Sequence, residues 1–171
     1  MVFGKNNRLK QLINMEEPTL NAHNKDEFPP AHTAEHILNQ TMVRTFGCAR
    51  SRINHIERKK SKCNYDLDFC PTDEKIRAVE AKVNEIIAQN LPVETKFVSR
   101  NELPPSIDIS RLPEDASETL RLVYIGEYDV CPCLGNHVKS TAEIGSFRIT
   151  STSYNDGIFR IVFRVSPANE E

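Results

Sequence analysis

Apolar residues along the chain switch between helical and strand spacing, and each switch marks an element. From His32 to Phe46, Ala34, Leu38, Met42 and Phe46 recur at 3.6-residue spacing with Ile37 and Thr45 on neighbouring rows, predicting a helix. Gly47 follows where a left-handed C-terminal cap would sit. Residues 51–69 alternate instead, with Cys63, Tyr65, Leu67 and Phe69 on one face against Asn64, Asp66 and Asp68, predicting a hairpin. A second helix is expected from Thr72 to Asn90: Ile76, Val79, Val83, Ile86 and Ile87 form its stripe, Asp73 and Glu74 occupy its first turn, and Pro92 lies past its end.

Residues 93–99 then read as a strand, and the prolines and acids between Asn101 and Thr119 as a loop. Short strands follow at 121–126 and 128–130. Two alternating runs, 146–154 and 158–165, are joined by Asn155-Asp156-Gly157, a strong hairpin signal. The stretch before Pro29-Pro30 keeps no sustained period and reads as a short strand or helix and a loop. This order predicts an α+β fold, with helices packed on one face of a mainly antiparallel sheet. One compact domain over residues 30–166 is expected, flanked by an N-terminal segment 1–29 and a tail 167–171.

The 171 residues suit one sizeable core. No apolar segment is long enough to span a bilayer and no signal-peptide pattern opens the chain, so a cytoplasmic protein without a membrane partner is expected. In a reducing compartment, five cysteines point to metal binding or burial rather than to disulfides. The formal net charge of −2 excludes a uniformly basic nucleic-acid binder. It hides a local excess, however: between Arg44 and Lys62, the residues Arg44, Arg50, Arg52, Arg58, Lys59, Lys60 and Lys62 stand against Glu57 alone. That run is either a solvated turn or a surface for a polyanion.

The candidate chemistry lies in two spacings. His32 and His36 are one helical turn apart on one face, and Cys133 and His137 repeat the separation around Leu134-Gly135-Asn136, where Gly135 would allow a tight turn. Together they form a Zn2+ ligand set. Four protein ligands would make a closed structural site, three a site with an open Lewis-acid position. Cys131 is a spare thiol. Cys48, Cys63 and Cys70 read as structural, and His23 and His55 have no partner in the sequence. A rival reading takes His32-Thr33-Ala34-Glu35-His36 as His-x-x-Glu-His, the motif of a zinc peptidase with Glu35 as base and Glu80 or Glu85 as a further ligand. It leaves Cys133 and His137 unexplained; in the four-residue site, Glu35 is expected to point off the ligand face.

The segments "HTAEHIL", "YDLDF", "VEAKVNEIIAQNLPVET" and "RLVYIGEYDVCPCLGNHVKSTAEIGSFRITSTSYNDGIFRIVFRV" resemble, in order from about Pro30 to Val165, the editing domain of alanyl-tRNA synthetases and its free-standing relatives. They are also similar to the editing domain of threonyl-tRNA synthetase. The chain departs from the family pattern at Cys-Leu-Gly-Asn-His, where Cys-Gly-Gly-Thr-His is common, and at Ala49-Arg50-Ser51-Arg52, where Gln-x-Gly-Ser is common.

The resemblance implies a free-standing, zinc-dependent deacylase that hydrolyses the ester of a mischarged tRNA, seryl- or glycyl-tRNA for alanine foremost. His32, His36, Cys133 and His137 would hold the metal. Amides of the Gly135 loop would stabilise the oxyanion, and Asn136 would contact the amino acid. Arg50, Arg52, Arg58, Lys59, Lys60 and Lys62 would bind tRNA phosphates. The alternative from another class is a non-enzymatic, zinc-stabilised domain that binds tRNA or protein.

Overall fold

The computed structural model describes residues 28–107 and 118–168; the sequence readings for 1–27 and for most of the 101–119 loop lie outside them. Helix α1 spans Pro29–Phe46 and α2 spans Asp73–Ala88. Strands β1 (Ile53–His55), β2 (Ser61–Asp66), β6 (Ser146–Asn155) and β7 (Ile158–Ser166) form an antiparallel sheet in the order β1-β2-β7-β6. Strands β3 (Val93–Ser99), β4 (Thr119–Ile125) and β5 (Asp129–Pro132) form a second antiparallel sheet in that order. The α+β class holds, with the strands divided between two sheets.

The first helix ends at Gly47 as expected but already begins at Pro29, and the second stops at Ala88, short of Asn90. Pro29 and Pro30 open α1, where the missing amide hydrogen costs nothing, and Gly47 closes it at φ 68°, its N–H donating to Val43 O. Thr72 caps α2 by accepting from Lys75 N at 3.2 Å, and Asp73 and Glu74 favour the positive end of the helix dipole. Between β6 and β7 the two-residue turn needs positive φ at both positions; Asp156 (50°) and Gly157 (78°) supply it.

The main core lies between the helices and the inner face of the four-stranded sheet. Ala34, Ile37, Leu38 and Met42 of α1 and Val79, Val83, Ile86 and Ile87 of α2 meet Cys63, Tyr65, Phe147, Phe159, Ile161 and Phe163. Leu67 joins them, but Phe69 does not share its face as the alternation predicts. The strand ends at Asp66, and Phe69 is exposed, its ring edge-on to Phe46 at 5.9 Å. A smaller cluster of Ile107, Leu120 and Leu122 packs on the three-stranded sheet.

Helix α2 also covers the free edge of β6. Asn84 donates to Phe147 O (2.8 Å) and accepts from Phe147 N (2.9 Å), while Glu80 accepts from Ile149 N (2.7 Å). Edge groups that could template another strand are thereby satisfied. Thr141, in the 3-10 turn Thr141–Ile144, accepts from Leu91 N and donates to the last carbonyls of α2, tying the connection after β5 to the helix end. Among the described residues no helix is long and apolar enough to cross a membrane.

Two glycines separate conformational need from close approach. At Gly47 a Cβ would meet open space, whereas a Cβ on Gly145 (φ 80°) would lie 2.0 Å from Ser166 O. Gly47→Ala should therefore cost about 1–2 kcal/mol, the left-handed penalty alone. Gly145→Ala adds a backbone clash and should cost roughly 3 kcal/mol or more. Urea denaturation of the two variants checks the order.

Candidate metal centre

The first three turns of α1 are buried on nearly every side, including Thr33, Glu35, His36, Asn39 and Thr41. The apolar stripe shows only half of this, because these polar residues are buried in pairs. Asn39 donates to Glu35 Oε1 (2.6 Å) while its Oδ1 accepts from Ser51 N (3.2 Å) and Tyr65 Oη (2.7 Å). Asn54 donates to the same Glu35 oxygen at 2.8 Å. This network fixes the rotation of α1 about its axis relative to β1 and β2.

A second polar contact seats β5. Asp129, fully buried, takes both Arg50 Nη1 (2.7 Å) and Nη2 (3.3 Å) in a two-pronged pair, and Gln40 adds a third donor at 3.2 Å. Burial pushes the Asp129 carboxyl up, with Arg50 opposing; burial disfavours the charged Arg50, but Asp129, Cys131 and Glu35 together outweigh it and hold the guanidinium protonated. With β5 so placed, the loop beyond it reaches the first turn of α1.

There the structure brings His32, His36, Cys133 and His137 together, one ligand atom from each lying within 4.8 Å of every other. The His32 and His137 rings stack at 4.2 Å, and His36 meets them edge-on at 5.0 and 4.5 Å. The outward nitrogens are turned to acceptors. His32 Nδ1 donates to the Asn136 carbonyl (3.2 Å), and His137 Nδ1 is hydrogen-bonded to Thr33 Oγ1 (2.9 Å), which also accepts from Val138 N (3.2 Å). His36 Nδ1 is buried without a hydrogen bond, 3.7 Å from Asp129 Oδ2. A nitrogen facing a carbonyl must carry the proton, which leaves the lone pair of a neutral imidazole on Nε2. His32 Nε2 stands 3.5 Å from Cys133 Sγ. Burial, then His137 and His32, hold the His36 pKa well below the ordinary value, so this ring is neutral and able to ligate.

Three imidazoles with oriented outer nitrogens and one thiol fit zinc, whose histidine ligands characteristically donate their second N–H to a carboxylate or carbonyl. The remaining cysteines stand apart. Cys131 is half-buried outside the cluster, its thiol pushed up to about 12 by burial, and Cys63 lies in the core.

Several sequence expectations change. Glu35 does not point off the ligand face: its Oε2 lies 3.7 Å from His36 Nε2 and 3.9 Å from His32 Nε2, because Asn39 and Asn54 hold the other oxygen. Burial raises its pKa, opposed by His32 and Arg50. Glu80 and Glu85 do not reach the cluster as the peptidase reading requires. Glu80 caps β6, and Glu85 bonds Lys82 on the α2 surface. Gly135 does not supply a positive φ to the turn. Instead Arg121 Nη1 donates to the Cys133 and Gly135 carbonyls at 2.9 and 3.0 Å, and the Gly135 N–H donates to Cys133 Sγ at 3.4 Å. That amide therefore faces the sulfur. Asn136 is exposed at the rim, its carbonyl holding His32.

The basic run divides. Arg50 is committed to Asp129, Arg52 contacts Asp66, and Arg58 lies over the Phe28 ring at 4.3 Å, while Lys59 and Lys60 form the exposed loop before β2 and Lys62 projects from it. His55 lies on β1, away from the cluster. The sequence offered one signal for Glu35, the His-x-x-Glu-His spacing. It offered none for Thr33, Arg121 or Asp129, whose partners are distant along the chain.

Asp129 is the hinge of this arrangement. Asp129→Asn leaves the part-buried Arg50 without its counter-charge and should destabilise the protein by about 2–3 kcal/mol. Adding Arg50→Met should recover most of that loss. A double-mutant cycle by urea denaturation checks the recovery.

With this geometry established, comparison with known proteins gives the kinship. Residues 120–162 match the family described as the threonyl and alanyl tRNA synthetase second additional domain. The alanine–tRNA ligase of Natronomonas pharaonis is 33% identical over 153 residues, covering 80% of this chain and 15% of the ligase. That of Gluconobacter oxydans is 32% identical over 141 residues, covering 76% and 16%. That of Halorubrum lacusprofundi is 27% identical over 157 residues, covering 86% and 16%. The chain thus spans about a sixth of the length of these curated relatives, and the family match takes in Cys133 and His137: the chain belongs to the family of the second additional domain of threonyl and alanyl tRNA synthetases.

Proposed function

We propose that this chain, by itself, is a zinc-dependent deacylase that hydrolyses the ester of a mischarged tRNA, with a small amino acid such as serine or glycine as the group removed. The observation that carries the reading is the convergence of His32, His36, Cys133 and His137 with the Glu35 carboxylate turned toward two of their Nε2 atoms. Kinship with alanine–tRNA ligases supports the substrate class.

Zinc, held by all four side chains, would supply a fixed positive charge beside the ester and would polarise a carbonyl or a water only by taking on a fifth ligand. The chain's own residues do the rest. Thr33 and the Asn136 carbonyl hold two imidazoles by their Nδ1 atoms and the Asp129 carboxylate stands 3.7 Å from the third, so Nε2 atoms and sulfur face one point. Gly135 N–H stabilises the Cys133 thiolate. Glu35, with one oxygen saturated by two amides, keeps Oε2 for a water beside the cluster, where it orients that water and accepts its proton. Asn136 at the rim contacts the aminoacyl group, and pocket size sorts small amino acids from large. Lys59, Lys60 and Lys62, with Arg52 and Arg58 beside them, meet tRNA phosphates; Arg50 serves the fold through Asp129.

Deacylation against a panel of mischarged tRNAs tests this. The wild type should hydrolyse at least one small aminoacyl ester, and Cys133→Ala should abolish it. Glu35→Gln should keep its metal and lose about a hundredfold in rate. Metal-replete protein that binds tRNA but leaves every ester intact would instead establish a non-enzymatic binding domain.

A further inference from the structure

The face of the four-stranded sheet turned away from both helices is open and basic. Pairing register fixes its membership: Asn64, Arg160 and Ser153 form one row across the strands, Lys62, Val162 and Ser151 the next, and Arg164 with Arg148 a third. The alternate positions, among them Cys63, Tyr65, Phe159, Ile161 and Phe163, are the ones buried beneath the helices. Arg148, Arg160 and Arg164 are exposed. Asp66 is the one carboxylate the described strands project onto this face, and Arg52 contacts it. Because Ser61 pairs with Phe163, the loop carrying Lys59 and Lys60, along with Glu57, adjoins the Arg164 end.

Folding alone gives no reason for this pattern. Arg148 and Arg164 are direct register partners, and like charges set opposite each other weaken strand pairing. The chain as a whole carries a net charge of −2, so the cations are gathered here rather than spread. An anionic partner resting on the face removes the repulsion. The one aromatic ring the described strands project from it is His55 of β1, opposite Lys62 at the sheet edge, so a run of unpaired bases has no platform to stack on. Guanidinium groups interspersed with hydroxyl and amide side chains, with Ile53 and Ile158 at the margins, suit phosphates and 2′-hydroxyls along a shallow A-form groove.

We infer that this outer sheet face, through Arg148, Arg160, Arg164 and Lys62, docks the sugar–phosphate backbone of a base-paired RNA segment. The inference rests on the reading of the chain as acting on tRNA, and extends the contact surface well beyond the hairpin loop.

The test is fluorescence anisotropy of the full chain with a short unacylated RNA hairpin across a range of KCl concentrations. Arg148→Ser with Arg164→Ser should weaken binding about tenfold or more and reduce the salt slope by about two, and Arg160→Gln alone should reduce it by about one. Lys75→Ser with Arg77→Ser, an equal loss of exposed charge on α2, should change neither. The Arg148/Arg164 variant should melt at or above the wild-type temperature, which separates lost binding from lost folding. Wild-type affinity and slope in the Arg148/Arg164 variant, an equal loss in the α2 control, or binding of phosphatidylserine vesicles but not of the hairpin would overturn the inference. The probe is unacylated and the readout is binding, so a failure to hydrolyse esters is a separate result.

Discussion

The structure depends on satisfying the polar side of α1. A helix that buries Thr33, Glu35, Asn39 and Thr41 gives each a partner, since an unpaired buried polar group costs about 1–3 kcal/mol. Asn39 and Asn54 take one oxygen of Glu35, Tyr65 and Ser51 take Asn39, and Thr41 hydrogen-bonds Tyr128 at 2.7 Å. These bonds set the helix against β1 and β2 on one side and the end of β4 on the other. The site is a by-product of that seating. With α1 fixed, the Arg50–Asp129 pair draws β5 in, and Cys133 and His137 arrive over His32 and His36.

The same network gives one motif two separable jobs. In His32-Thr33-Ala34-Glu35-His36, the histidines face the shared point, Ala34 enters the core, Thr33 reaches back to orient His137, and Glu35 divides its oxygens between network and cluster. A carboxylate held by two amides has little freedom left, which is what a group that positions water requires. The loop between Cys133 and His137 is likewise fixed from outside: Arg121 holds two of its carbonyls, so the turn does not depend on glycine geometry.

Elements with a strong period were legible in the sequence. Both helices, their caps, the Asp156-Gly157 turn and the α+β class follow from local rules, because propensity and burial agree there. The cluster of His32, His36, Cys133 and His137 was legible as two spacings. The division into two sheets was not, since alternation identifies strands without saying which pair. Phe69 was misplaced because a strand's end carries no period of its own. Glu35 was misread because the helical wheel gives the direction of Cβ, and its longer side chain turns back toward the histidines under the pull of Asn39 and Asn54. Arg50 looked like one more member of a basic run until a carboxylate seventy-nine positions away claimed it.

The central claim is that three imidazoles and the Cys133 thiolate hold one zinc ion. X-ray absorption at the zinc edge, on protein purified from zinc-containing medium, reads the donor atoms directly. The account predicts about one zinc per chain, with three nitrogens at about 2.0–2.1 Å and one sulfur at about 2.3 Å. A shell of nitrogen and oxygen without sulfur, or protein that retains no zinc, would contradict it.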